Sequence, residues 1–169
     1  VIHKSDSLRQ CPPVKDIVFG RTFTDHMLKI PWTAARGWGE PSIEPYGPLS
    51  LEPSSVVLHY AVTLFEGMKA YRDDHGKVRL FRPEKNMERM NRSASRICLP
   101  NFDETELLKL IKKLVQLDQH WVPSEPGYSM YIRPTLIGTE PSVSVTQTSE
   151  ALLFVILSPV GPYYSSGVK

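Results

Sequence analysis

Tyr131 and Arg133 are the residues whose types and spacing point most directly to chemistry in this sequence. They lie two positions apart in segment 128–138, whose apolar and β-branched content predicts a buried strand. Because side chains alternate across a strand, we expect Tyr131 and Arg133 on one face and Met130 and Ile132 on the other. A guanidinium beside a phenol can receive a carboxylate, although a surface salt bridge is an equally ordinary use of the pair.

A second candidate is a row of basic residues on the helix predicted to follow Pro83. Its members are Lys85, Arg89, Arg92 and Arg96, which lie opposite an apolar stripe. Such a row can bind a phosphate group. The spacing alone favours the plainer interpretation, the solvated side of an amphipathic helix.

Other site chemistries find less support. The Gly37-Trp38-Gly39 segment lacks the third glycine and the strand-to-helix context of a dinucleotide site. Asp25 and His26 are adjacent, so a strand would send them to opposite faces and no catalytic dyad is expected. The aromatic residues Phe19, Tyr60 and Tyr131 can line an apolar pocket, but buried aromatics also serve simply as core. The histidines share no metal-ligand spacing, and no metal site is predicted; they are His3, His26, His59, His75 and His120.

Composition narrows the class of partner. The 169 residues amount to one domain, and 20 basic against 18 acidic residues give no electrostatic footprint for nucleic acid or anionic lipid. No apolar run has the length that a membrane helix needs. Cys11 and Cys98 lie far apart, which favours a reducing compartment over a disulfide scaffold. Small organic ligands are the expected partners.

The elements that must position these side chains are predicted to be helices and strands that pair in a sheet. The helices are expected to start near Ser55, at Pro83 and at Asp103, where Glu106 completes a capping box. The apolar segment 151–157 is predicted as the central strand. The remaining predictions are a mobile arm over 1–16, strands at 17–20 and 22–30, irregular chain over 31–53, the first helix running to Phe65, and a hairpin at 68–72 and 77–81.

Several multi-residue blocks then give a resemblance. The segments 18–27, 58–71, 79–83, 86–90 and 131–134 together look like the N-terminal domain of a eukaryotic branched-chain amino-acid aminotransferase. Members of that family are fold-type IV enzymes that use pyridoxal 5'-phosphate (PLP). The resemblance implies a small aminotransferase domain over 17–160 and the start of an interdomain linker over 161–169. The fold it implies is α/β (α+β two-layer), with helices packed against a central, twisted, largely antiparallel sheet.

The resemblance also implies residue roles. Arg89 matches the arginine that contacts the PLP phosphate, and Arg133 belongs to the region that receives the distal carboxylate of glutamate or 2-oxoglutarate. Positions that line the side-chain pocket are matched by Phe19, Tyr60, Tyr131 and Val145. Tyr163 matches a linker aromatic that closes over the substrate.

The implied reaction transfers the amino group of leucine, isoleucine or valine to 2-oxoglutarate, in a homodimer located in the mitochondrion or the cytosol. In the family, the lysine that forms the Schiff base with PLP follows the linker, and Lys169 is not in its motif. We therefore expect the 169 residues alone to contain no catalytic lysine and to be inactive. The alternative is that a truncated product acts as a non-catalytic interaction module.

Overall fold

A single eight-stranded sheet organises the computed structural model of the protein, which describes residues 1–162. Its main path has the order β2-β1-β8-β7-β5-β6, while β3 pairs with β1 and β4 pairs with β7. All the strand pairings are antiparallel, which confirms the predicted sheet. The strands are β1 (His26–Thr33), β2 (Gly37–Trp38), β3 (Ser42–Pro45), β4 (Thr63–Phe65), β5 (Met68–Arg72), β6 (Val78–Leu80), β7 (Ser129–Gly138) and β8 (Glu150–Val160).

The two longest strands form the centre of the sheet. β7 and β8 pair from Ser129 opposite Val160 to Gly138 opposite Ala151. The predicted central position of segment 151–157 is therefore confirmed. Its apolar sequence suits that position, because a strand with neighbours on both edges is buried along most of its length.

Three α-helices accompany the sheet in the described residues: α1 (Val56–Tyr60), α2 (Pro83–Arg96) and α3 (Glu104–Leu117). Pro83 opens α2, and the Asp103 side chain accepts a hydrogen bond of 2.9 Å from the Glu106 backbone N–H at the start of α3. Both helix starts were predicted from these residues. α2 packs against β4 and α3 against β1, and their apolar stripes join one core with the sheet. None of the helices in residues 1–162 is long and apolar enough to cross a membrane.

The predicted helix through Phe65 is wrong in its second half. α1 ends at Tyr60, Ala61 takes a left-handed backbone with φ of 52°, and β4 follows at once. Leu64 pairs with Leu136 of β7 and is buried. Pairing with the sheet therefore determines the conformation of this segment, although the spacing of its apolar residues is compatible with a helix.

Two further predictions in the N-terminal part are also wrong. Residues 17–20 do not form a strand, because a turn lies at 19–21 with Gly20 at φ of 69°. The strand expected from residue 22 begins only at His26. The stretch 31–53 is not irregular throughout, because β2 and β3 lie within it and both pair with β1. Breaker residues there shorten the strands without preventing pairing.

The two faces of the sheet differ in their surroundings. The face toward α2 and α3 carries fully buried residues such as Met130, Ile132 and Val155. The other face, called here the open face, carries partly or largely exposed side chains. By strand register, it is formed by Phe65, Lys69, Tyr131, Arg133, Phe154 and Ile156.

Residues 1–16 make defined contacts with the start of β1. The Ser5 backbone N–H donates to His26 Nε2 at 2.9 Å, and Arg9 Nε donates to Asp25 Oδ1 at 3.1 Å. These contacts show where the arm lies, while its mobility in solution and the domain bounds stay predictions.

Candidate functional site

The alternation of β7 brings Tyr131 and Arg133 together on the open face. Arg133 Nη2 donates a hydrogen bond of 2.7 Å to the Tyr131 hydroxyl. Met130 and Ile132, which point to the other face, are fully buried. The pair therefore has the arrangement expected from its spacing, and it is not an ordinary surface salt bridge.

Aromatic rings fix the guanidinium of Arg133. Its central carbon lies 4.2 Å from the Phe65 ring centroid and 5.1 Å from that of Tyr131. Such cation–π contacts hold a charge over apolar surface. Arg133 Nε is buried and has no hydrogen-bond partner in the described part of the chain. Phe19 extends the aromatic surface, with its ring centroid 5.6 Å from that of Tyr131.

Gly67 lets the Tyr131 ring reach this position. A Cβ built on Gly67 would overlap the Tyr131 hydroxyl, and it would lie 3.0 Å from the ring carbon Cζ. Any side chain at position 67 would therefore force the phenol to move.

Arg89 is held by a buried carboxylate on the turn between β4 and β5. Arg89 Nε and Nη2 donate to the two oxygens of Glu66 at 2.6 and 2.7 Å. Asn86 Nδ2 donates to the same carboxylate at 3.0 Å, as does the Gly67 backbone N–H at 3.2 Å. Glu66 is only 4% exposed, whereas the Arg89 side chain is 55% exposed.

The electrostatics of this pair favour full ionisation. Burial raises the pKa of Glu66, but hydrogen bonds from Arg89, Asn86 and Gly67 outweigh burial, and the net pKa is lowered. The hydrogen bond and the charge of Glu66 in turn raise the pKa of Arg89. At neutral pH the site therefore contains a fixed cation beside a fixed anion.

The four residues of the basic row on α2 have different contacts. Lys85 pairs with Glu88 on the surface at 2.7 Å, while Arg89 turns toward Glu66. Arg92 and Arg96 are exposed further along the helix. Of the four, Arg89 is the residue that pairs with a buried carboxylate, Glu66.

The remaining predicted residues lie around this centre. The Tyr60 hydroxyl donates to the Val143 carbonyl, which ties the end of α1 to the loop between β7 and β8. Val145 lies on that loop with 84% of its surface exposed. No hydrogen bond or ring contact within residues 1–162 joins Tyr60 or Val145 to the Tyr131 cluster. Tyr163 lies outside the described residues.

Sequence reasoning assigned no role in the site to Phe65, Glu66 or Gly67. Phe65 packs on Arg133, Glu66 holds Arg89, and Gly67 leaves room for the Tyr131 ring. One signal was available for Glu66, a single carboxylate between apolar residues of two short strands. A charge in such a position needs a charged partner, because burying it unpaired is costly.

The arrangement can bind an anion in two places and apolar groups between them. Arg133, its neighbouring rings and the Tyr131 hydroxyl can contact either methyl groups or a carboxylate. Arg89 can hold a second anion such as a phosphate. Within residues 1–162, no group of three His, Cys, Asp or Glu side chains is placed to hold a metal ion.

Comparison with known proteins agrees with this chemistry. The sequence profile of the family described as Amino-transferase class IV matches residues 63–169. The chain is 60% identical over 157 residues to the mitochondrial branched-chain-amino-acid aminotransferase of Saccharomyces cerevisiae, covering 93% of this chain and 40% of the relative. It is 58% identical over 167 residues to the cytosolic enzyme of Mus musculus, covering 99% of this chain and 43% of the relative. The chain thus spans about two fifths of these relatives, and they come from both expected compartments.

A solved structure supports the same fold. The branched-chain aminotransferase of Thermoproteus uzoniensis, crystallised with norvaline, superimposes with a TM-score of 0.63 at 25% identity. The match covers 80% of this chain and 42% of that protein.

Proposed function

The chain belongs to the class IV aminotransferase family, and we propose that it forms the substrate-pocket domain of a PLP-dependent branched-chain amino-acid transaminase. The proposed reaction transfers the amino group of leucine, isoleucine or valine to 2-oxoglutarate. Relatives of that name are 58–60% identical to the chain. Because the chain spans only 40–43% of their length, activity, substrates and assembly are proposals for the whole protein.

The observation that carries the proposal is the placement of Arg133 between Phe65 and Tyr131. A transaminase of this specificity must accept a branched apolar side chain and an acidic one in turn. Burial of the methyl groups against the ring faces contributes about 25 cal/mol of binding free energy per Å² of apolar surface. The guanidinium and phenol supply charge-assisted hydrogen bonds for the distal carboxylate of glutamate. One surface can therefore serve both partners.

Arg89 fits a phosphate group. Glu66 occupies Nε and one N–H of Nη2, and Nη1 makes no hydrogen bond within residues 1–162, so the exposed end of the fork is available to an anion. When bound, PLP supplies an electron sink for the carbanion that transamination requires. The role of Arg89 is to fix the cofactor by its phosphate.

The other predicted residues complete the pocket in this proposal. Phe19 adds an aromatic wall beside Tyr131, and Tyr60, Val145 and Tyr163 are assigned to the same wall by family resemblance. The lysine that binds PLP is proposed to come from outside the 169 residues, in a complete enzyme that acts as a homodimer.

The direct test is leucine-to-2-oxoglutarate transamination with added PLP, measured for the full-length protein and for the 169-residue chain. We expect turnover by the full-length protein and none by the chain. Turnover by the chain alone would contradict the assignment of the lysine to another segment. An inactive full-length protein would contradict the transaminase proposal, and binding of the inactive chain to its parent would favour the interaction-module alternative.

A further inference from the structure

We propose that Glu66 is a positioning residue for the cofactor phosphate, acting through Arg89. The inference rests on the proposed function, because it takes the phosphate of PLP as the anion that Arg89 binds. It adds a residue that never contacts the cofactor but fixes the arginine that does.

The first step is the burial of the Glu66 charge. A carboxylate with 4% exposure is stable only when its oxygens are paired. Glu66 accepts hydrogen bonds from two nitrogens of Arg89, from Asn86 and from the Gly67 backbone. The carboxylate has no freedom to turn toward another partner, so it is a fixed anchor.

The second step is the direction in which the anchor holds the guanidinium. The pair uses the side of the planar fork formed by Nε and Nη2, at 2.6 and 2.7 Å. A bidentate contact on that side fixes both the plane and the rotation of the group. The end of the fork that carries Nη1 is left facing away from the carboxylate, where a second anion can bind.

The third step ties the anchor to α2. Asn86 and Arg89 are three residues apart on that helix, so they lie on one face. Asn86 Nδ2 donates both to Glu66 and, at 3.0 Å, to the Gly67 carbonyl. The turn and the helix are therefore joined on both sides of the carboxylate.

The turn that contains Glu66 also links Arg89 to the pair formed by Tyr131 and Arg133. The Glu66 backbone N–H donates at 2.9 Å to the carbonyl of Pro134, the residue after Arg133. Phe65, the residue before Glu66, packs on the Arg133 guanidinium. Two consecutive residues, Phe65 at the end of β4 and Glu66 in the turn, thus set the positions of two arginines.

A negative Glu66 also repels a phosphate, so the two effects oppose each other. The repulsion is weakened by solvent, because more than half of the Arg89 side chain is exposed. Without its anchor, a long and exposed arginine would lose its fixed rotamer, and each binding event would have to order it again. Loss of positioning is therefore the larger effect, and removing the Glu66 charge should weaken phosphate binding.

The test compares PLP with pyridoxal, which lacks the phosphate, by spectroscopic titration of the full-length protein. In Glu66→Gln we expect the dissociation constant for PLP to rise about tenfold or more, as for the loss of a charge-assisted pair, while that for pyridoxal stays as in the wild type. Glu88→Gln is the matched control, because Glu88 is a carboxylate next to Arg89 on α2 that pairs on the surface with Lys85. That control should leave both constants unchanged.

A double-mutant cycle separates positioning from general damage. In an Arg89→Ala background, Glu66→Gln should have no further effect on PLP binding, because the route through Arg89 is gone. Asn86→Ala, which keeps the carboxylate but loosens it, should give a smaller loss that is again confined to PLP. This variant provides the measurement if Glu66→Gln does not fold.

The outcomes are separable. Unchanged or tighter PLP binding in Glu66→Gln, or an equal loss for PLP and pyridoxal, would overturn the role of Glu66 and leave the proposed function standing. Wild-type protein that binds neither compound would overturn the proposed function, and the inference with it.

Discussion

The guanidinium carbon of Arg133 lies 4.2 Å from the centroid of the Phe65 ring. The contact joins β7 to β4, which are neighbours in the sheet although their residues are far apart in sequence. It keeps a positive charge on a surface that is otherwise aromatic. The same few side chains can then meet a carboxylate or a branched aliphatic group, which is the requirement of the proposed reaction.

The Tyr131 hydroxyl should matter more for the acidic substrate than for the apolar one. Tyr131→Phe removes the acceptor of the Arg133 hydrogen bond and one polar contact for a carboxylate. We expect the KM for 2-oxoglutarate to rise about tenfold and the KM for leucine to change little. Steady-state kinetics of the full-length protein with each substrate measure both. Tyr71→Phe is the control, since Tyr71 is exposed on neighbouring β5; equal changes for both substrates would contradict the prediction.

Gly67→Ala should displace the Tyr131 ring. The new Cβ would overlap the Tyr131 hydroxyl, and movement of this ring would break its contact with Arg133. We expect a loss of 2-oxoglutarate binding similar to that of Tyr131→Phe, with a small change in melting temperature because the displaced atoms lie on the open face. The comparison is Gly47→Ala, where the nearest atom to the new Cβ is 3.9 Å away. Gly67→Ala kinetics identical to wild type would show that the ring has another position available.

The elements with strong local signals were predictable from sequence. Pro83 and Asp103 mark the starts of α2 and α3, because capping and proline effects act within one helical turn. The apolar segment of β8 could be placed at the sheet centre for a different reason, because a continuous apolar run indicates a strand that is buried on both faces.

The segment around β4 shows what local signals miss. The first helix was expected to run to Phe65, but this residue lies in β4 and is 61% exposed. Phe65 is apolar because it supports Arg133 on the open face. An apolar residue that serves a binding surface has the same sequence signature as one in a core.

The candidate site also has one part that was predictable from local sequence and one part that was not. The shared face of Tyr131 and Arg133 followed from strand alternation alone. The Glu66–Arg89 pair joins residues 23 positions apart, and it depends on how α2 packs beside the β4–β5 turn. That packing is tertiary, so the pattern of charges could show that Glu66 needs a partner without showing which cation it is.

Asp25 provides a prediction on stability and pH at the contact between the N-terminal arm and the fold. Its carboxylate accepts hydrogen bonds from Trp121 Nε1 at 2.8 Å and from the backbone N–H and Nε of Arg9, both at 3.1 Å. Burial raises the pKa of Asp25, but these hydrogen bonds and the charge of Arg9 outweigh burial, and the net pKa is lowered. Asp25→Asn should therefore reduce the free energy of unfolding at neutral pH by about 1–3 kcal/mol.

The sign of the pH dependence follows from the lowered pKa. The stabilisation by Asp25 is complete above its ordinary pKa of 3.8 and is lost as pH falls through the lower value of the folded state. The difference in unfolding free energy between wild type and Asp25→Asn should then shrink as pH falls below 3.8. Urea unfolding followed by circular dichroism measures it, with Asp74→Asn as control because Asp74 is exposed. A difference that stays undiminished below pH 3.8 would mean that folding does not lower the pKa of the Asp25 carboxyl.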